Sequence, residues 1–141
     1  MSGQLDLAMF VQAAGDAIIA AGSDGRICFW NPAAERMFGF TAEEAVGHSL
    51  DLIIPERFRE RHWAGYHEVM RTGQTRYASE VLRVPALHKN GNSLSIAFTV
   101  ALVPSGGETV ITAIVREETK RWNEERELRR QLAALEQQSK P

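Results

Sequence analysis

Apolar and polar positions recur with two different periods in three stretches of this chain. Between residues 93 and 102 the period is two: Leu94, Ile96, Phe98, Val100 and Leu102 share one face of a strand, and Ser93, Ser95, Ala97 and Thr99 share the other. Between residues 55 and 71 the period is three to four. Phe58, His62, Tyr66 and Val69 there mark the inward side of a helix that opens at Pro55 and stops at Gly73. Near the start, Leu7, Phe10, Val11 and Ala14 fall at i, i+3, i+4 and i+7, which predicts an amphipathic helix over 4–14. That helix packs either on its own sheet or on a second copy of the chain.

The stretch from 16 to 47 is the most densely signposted. Two apolar runs, Ala17–Ala20 and Arg26–Trp30, flank Gly22-Ser-Asp-Gly25, whose residues tolerate positive φ and so predict a tight hairpin turn. Asn31 offers a capping oxygen, Pro32 suits a first helical position, and Gly39 suits the helix end. Thr41-Ala-Glu-Glu44 reads as a capping box for a second short helix, with Gly47 as its stop. Past the long helix, 76–87 reads as extended, with Pro85 marking an edge or a break. Asn90-Gly91 reads as a two-residue hairpin turn, Pro104-Ser-Gly-Gly107 as another turn, and 108–115 as the last strand. Two strands, short helices, one longer helix and three strands predict an α+β fold. Its sheet is a five-stranded antiparallel one covered on one face by helices, with further helices at both ends.

The Asp16-Ala-Ile18 start, the Asp24-Gly-Arg-Ile27 turn, the Trp30-Asn-Pro-Ala-Ala-Glu-Arg-Met-Phe-Gly-Phe40 run and Glu43-Glu-Ala-Val-Gly47 together resemble a PAS domain, a small sensory fold of signalling proteins. Arg116-Glu-Glu-Thr119 resembles the Arg-Asp-x-Thr junction that leads such domains into a signalling helix, with Glu117 in place of the usual Asp. The resemblance spans 6–121 and implies three parts: a cap helix in 1–15, a PAS core in 16–116 and a charged signalling helix in 117–141. It also implies a homodimer, because the N-terminal helix of PAS proteins often helps form one. Leu128, Leu132 and Leu135 have 4–3 spacing over less than two heptads, which fits a solvated amphipathic helix or a short dimerising coil. No effector segment follows within the sequence, so the expected output is contact with a partner protein or a change in dimerisation.

Composition narrows this picture rather than redirecting it. A chain of 141 residues builds one domain with a core. A net charge of -2 without a basic cluster argues against nucleic acid as a partner. No apolar run is long enough to span a membrane and the N-terminus lacks signal-peptide features, so the expected location is cytoplasmic. The single Cys28, inside a predicted strand, is expected to be a buried inert thiol in a reducing compartment.

Catalytic chemistry is not signalled. There is no nucleophile–base set, Gly22–Gly25 lacks the Gly-Lys-Ser/Thr ending of a phosphate loop, and His62 and His67 fall on different faces of a helix. The chain is therefore not expected to be an enzyme. Trp63, His67 and Met70 form a second stripe on the long helix, suited to capping the core or a dimer contact. Trp30 reads as core, Trp122 as a brace for the C-terminal helix, and His48 and His88 as solvated loop residues.

His62 has two readings: a core histidine with an ordinary hydrogen bond, or an iron ligand. Arg57-Phe-Arg-Glu-Arg-His62 resembles the segment that carries the proximal histidine of oxygen-sensing, haem-binding PAS domains. That resemblance implies b-type haem with His62 as axial ligand. Phe58 and Tyr66 would line the same helix, with Leu82, Ile96, Phe98 and Val100 on the sheet. Leu82 stands where those sensors carry a distal Arg, and the neighbouring Arg83 would turn to the other face. A flavin photosensor of the LOV type needs an Asn-Cys-Arg-Phe-Leu motif on a central helix, and 55–61 contains no Cys. The expected function is thus a sensory module binding a small ligand in its core. The alternatives are a haem-based gas or redox sensor and a ligand-free interaction scaffold.

Overall fold

Alternation along each strand joins into one continuous apolar surface. In a computed structural model describing residues 4–139, five strands pair antiparallel in the order β2-β1-β5-β4-β3. They are β1 Ala17–Ala21, β2 Ile27–Trp30, β3 Leu82–Leu87, β4 Ser93–Ser105 and β5 Glu108–Glu117. Leu82 lies opposite Phe98 and Val84 opposite Ile96, Phe98 faces Val115, and Val115 faces Ala17. Opposed residues share a face, so the apolar set of β4 extends across β3, β5 and β1. Helices α2 (Pro32–Phe38) and α3 (Ala42–Ala45) cover it, burying Ala34, Phe38 and Ala45 with Ile27, Trp30, Ile53, Ile96 and Val115. The large side chains among these each contribute about 1.5–3 kcal/mol by leaving water. This is the α+β architecture the sequence pattern predicts.

Caps hold the short helices, which have too few turns to stand alone. Asn31 Oδ1 accepts the Ala34 N–H at 3.0 Å, and Thr41 and Glu44 form the reciprocal capping box. The N-terminal helix α1 (Leu7–Ala13) is shorter than 4–14 and leaves Leu7 and Phe10 exposed at 68% and 59%. The expected parts 1–15 and 117–141 include residues 1–3 and 140–141, which lie outside the described residues. Within the latter part, α5 (Thr119–Gln138) is exposed on Leu128, Leu132 and Leu135. Among the described residues, no helix is long and apolar enough to cross a membrane.

Several local expectations are corrected. The extended stretch over 76–87 begins instead with a 3-10 turn, Arg76–Ala78, because Thr75 Oγ1 accepts the Tyr77 N–H at 3.1 Å; the strand starts at Leu82. The Asn90-Gly91 hairpin is longer than two residues: His88 N–H donates to Asn92 O and Gly91 N–H to His88 O, both at 2.9 Å. Pro104 lies inside β4 rather than in a turn, which Gly106 and Gly107 make with φ of 57° and 84°. It is tolerated there because β3 pairs with β4 only as far as Phe98, leaving that side of β4 free. The last strand runs two residues past 115, to Glu117. Cys28 is exposed, not buried, because it is the extra residue of a bulge in edge strand β2: Ala20 pairs with Phe29 and Ala21 with Ile27, leaving Cys28 without a partner on β1. His88 is half-buried rather than solvated, its ring so close to Gly39 that a Cβ there would fall 2.5 Å from Cε1.

Candidate functional site

The long helix α4 (Glu56–Thr72) begins after Pro55 without a side-chain cap and ends at Gly73, whose φ is 72°. Arg59 ties this first turn to the segment before it, its Nε donating to Ile54 O at 3.0 Å and its Nη2 to Asp51 O at 3.2 Å. Two turns on, the Tyr66 hydroxyl donates to Gly22 O in the β1–β2 turn, and Trp63 Nε1 donates to Asp51 Oδ1 at 2.8 Å. Burial pushes the Tyr66 phenol above its ordinary pKa, so it stays a donor. The Trp63 ring lies against the backbone of Gly25, where a Cβ would sit 2.3 Å from ring carbons; Gly25 also has φ of 79°. Trp63 and Asp51 were not singled out as a pair by sequence reasoning; the Gly in the turn is the signal that a ring approaches there.

His62 sits beside these two rings, its centroid 4.6 Å from Trp63 in an edge-on arrangement and 5.7 Å from Tyr66. Its Nδ1 is buried and has no hydrogen-bond partner, a condition no other buried side-chain nitrogen or oxygen shares among the described residues. Burial holds the imidazole below its usual pKa, against a smaller opposing pull from Asp51. The ring is therefore neutral at pH 7, with a nitrogen available to accept, donate or coordinate.

The other residues predicted for the site divide between two walls. Leu82, Ile96, Phe98 and Val100 line up on the helix-covered face of the sheet, with Leu82 directly opposite Phe98. Ile96 belongs to the buried core and Phe98 packs against it. Phe58 and Tyr66 share the inward side of α4 with His62; Phe58 is half-buried under the Arg57 guanidinium, 4.8 Å from its ring centroid. Tyr66, though buried, lies outside the main core cluster, its hydroxyl committed to the turn. Arg83 turns to the opposite face and pairs with Glu118 at 3.1 Å, so the wall around Leu82 carries no cation. His67 is exposed on the far side of Trp63, their ring centroids 6.2 Å apart. Among the described residues, no three His, Cys, Asp or Glu converge as a metal cluster.

Comparison with known proteins gives a consistent pattern. The family profile of the PAS fold matches residues 5–117. Sensor protein FixL of Bradyrhizobium diazoefficiens is 31% identical over 105 residues, covering 74% of this chain and 21% of its own length. Oxygen sensor protein DosP of Escherichia coli is 24% identical over 115 residues, covering 82% of this chain and 14% of its own. The chain thus spans about a fifth or less of these relatives. A solved PAS domain from Colwellia psychrerythraea superposes with a TM-score of 0.69 at 20% identity, covering 81% of this chain and 95% of that one.

Proposed function

Because this chain belongs to the PAS fold family, we propose that it is a sensory module that binds a small ligand between α4 and the inner face of the sheet. The observation that carries this reading is the buried, unpartnered Nδ1 of His62. Such an atom costs about 1–3 kcal/mol. A ligand that supplies the missing bond recovers that cost only in the filled state, and this differential stabilisation shifts a conformational equilibrium. His62 is the polar contact; Phe58, Tyr66, Leu82, Ile96, Phe98 and Val100 are the apolar walls.

The relay runs through the helices at either end. Ser95, beside Ile96 on β4, accepts the Glu118 N–H at 2.7 Å and donates its own N–H to Thr119 Oγ1 at 3.0 Å. A displacement of the sheet wall therefore reaches the first turn of α5. Exposed Leu7, Met9 and Phe10 of α1 support a homodimer with residues 1–15 at its interface. Residues 117–141 then carry the signal to a partner protein.

A second reading, a haem-based sensor, is favoured by the neutral imidazole and by the similarity to an oxygen sensor. His62 fits as the residue that would hold haem, since a neutral ring with an unspent nitrogen is what axial ligation requires. Bound haem would supply reversible binding of a diatomic gas or a one-electron redox change. The chain's own part is to orient the imidazole against Trp63 and Tyr66 and to exclude water with the apolar sheet wall.

The test is an absorption spectrum of the purified protein with and without added hemin, followed by thermal-shift screening of small metabolites. A sharp haem band lost in His62→Ala establishes the second reading. A colourless protein stabilised by a metabolite in the wild type, but not in His62→Ala, establishes the first. A colourless protein that no ligand stabilises refutes both and leaves a scaffold.

A further inference from the structure

A second cavity of about 530 Å³ lies at the root of α5, formed by residues of β3 and β4, the first turns of that helix and Arg57 of α4; Ile96 is the one residue it shares with the core wall. Its wall carries four guanidinium groups, Arg57, Arg83, Arg121 and Arg126, against two carboxylates, Glu118 and Glu125. This local positive excess occurs in a chain whose net charge is -2. Both carboxylates are already engaged: Glu118 pairs with Arg83 at 3.1 Å and lies 3.8 Å from Arg121, and Glu125 pairs with Arg121 at 3.1 Å. Among the described residues, Arg57 and Arg126 have no carboxylate within ion-pair distance and rest on the Phe58 and Trp122 rings. Trp122 keeps 48% of its surface exposed beside them. Ser93, Ser95, Thr119 and Asn123 complete the polar lining.

Guanidinium forks match phosphate oxygens two at a time, and an exposed indole face stacks on any flat ring. The volume lies in the range of small-molecule sites, roughly 300–1,000 Å³. We propose that this cavity is a second ligand site, for a free phosphorylated small molecule bearing a planar ring, the nucleotide class. Arg83, Arg121 and Arg57 take the phosphate, and Trp122 takes the ring. The phosphate competes with Glu118 for Arg83 and Arg121, so occupancy changes how the first turn of α5 is tied to the sheet.

The test titrates the full chain with AMP, adenosine and inorganic phosphate, reading tryptophan fluorescence and binding heat. AMP is expected to bind saturably, more tightly than either adenosine or phosphate, and less tightly as salt rises. Arg83→Ala and Arg121→Ala should each weaken it about tenfold or more, since each removes a charge-assisted contact. Trp122→Phe should remove the fluorescence change, and His62→Ala should leave AMP binding intact, which separates this site from the core. Circular dichroism checks that these exposed-site variants fold. No saturable binding, binding indifferent to Arg83→Ala and Arg121→Ala, or phosphate as tight as AMP overturns the proposal. So does an oligonucleotide that binds more tightly than AMP.

Discussion

Asn31 is fully buried and spends all its side-chain hydrogen-bonding capacity inside the protein. Oδ1 accepts the N–H of Ile18 at 2.9 Å and of Ala34 at 3.0 Å, while Nδ2 donates to the carbonyls of Val11 at 3.0 Å and Asp16 at 3.2 Å. One amide thus fastens the end of α1, the entry to β1 and the N-terminus of α2. Asn31→Ala removes all four bonds. The lost helix cap costs about 1 kcal/mol. The other three cost about 1 kcal/mol each where the freed backbone group stays buried, and less at Val11 and Asp16, where water can enter. The total is about 3 kcal/mol, a large part of the roughly 5–15 kcal/mol that holds a domain together. A urea titration followed by circular dichroism should show the midpoint falling accordingly with the slope unchanged. Asn31→Asp is the internal control. It keeps both accepting bonds and the cap, but sets a carboxylate oxygen against two carbonyls, so it should loosen α1 most, read as faster amide exchange there. If Asn31→Ala lies within about 1 kcal/mol of wild type, the hub reading is wrong.

Three further outcomes are expected. Gly25→Ala should cost about 2–3 kcal/mol, because it combines an unfavourable positive φ with a collision on Trp63; pairing it with Trp63→Leu should relieve only the collision, and strict additivity would refute the contact. His62 has a folded pKa held below its ordinary value of about 6.5, so the unfolded chain takes up its proton first as pH falls. Stability from this group is complete above that value and lost as pH drops toward the folded pKa. Urea midpoints measured across this interval should therefore fall in the wild type and fall less in His62→Leu; equal slopes would remove His62 from the account. Deleting 120–141 should leave the melting temperature within a few degrees, since the exposed α5 keeps Glu118 and Thr119 as its anchor, yet abolish signalling; a truncated chain that still signals defeats the relay.

What the sequence made legible was mostly local chemistry. Asn31-Pro32, the Thr41–Glu44 box and the period-two run of β4 each state their structure within a few residues, and the fold class followed from their order. What was hidden depended on neighbours distant in sequence. Pro104 sits in a strand because β3 stops pairing at Phe98, and Cys28 is exposed because the pairing of β1 with edge strand β2 skips it as a bulge. His62 shows the same division. Its helix face was readable from spacing, but its orphaned nitrogen was not, because Tyr66 and Trp63 commit their polar atoms to Gly22 and Asp51.

Those commitments also bear on how the proposed core site would respond. The polar ties of Tyr66, Trp63 and Arg59 on α4 all lead to connecting segments: Tyr66 to the β1–β2 turn, and Trp63 and Arg59 to the stretch around Asp51 and Ile54. A ligand held by His62 would thus press on a helix that can tilt about its loop anchors without breaking a ladder. The opposite wall behaves differently. Ile96 and Phe98 are paired on both sides, Ile96 with Val84 and Glu117, and Phe98 with Leu82 and Val115. Their displacement is shared with β5, and Glu117 is two residues from the start of α5 at Thr119. In the proposed site the soft wall would accommodate the ligand, and the stiff wall would pass the strain to the C-terminal helix.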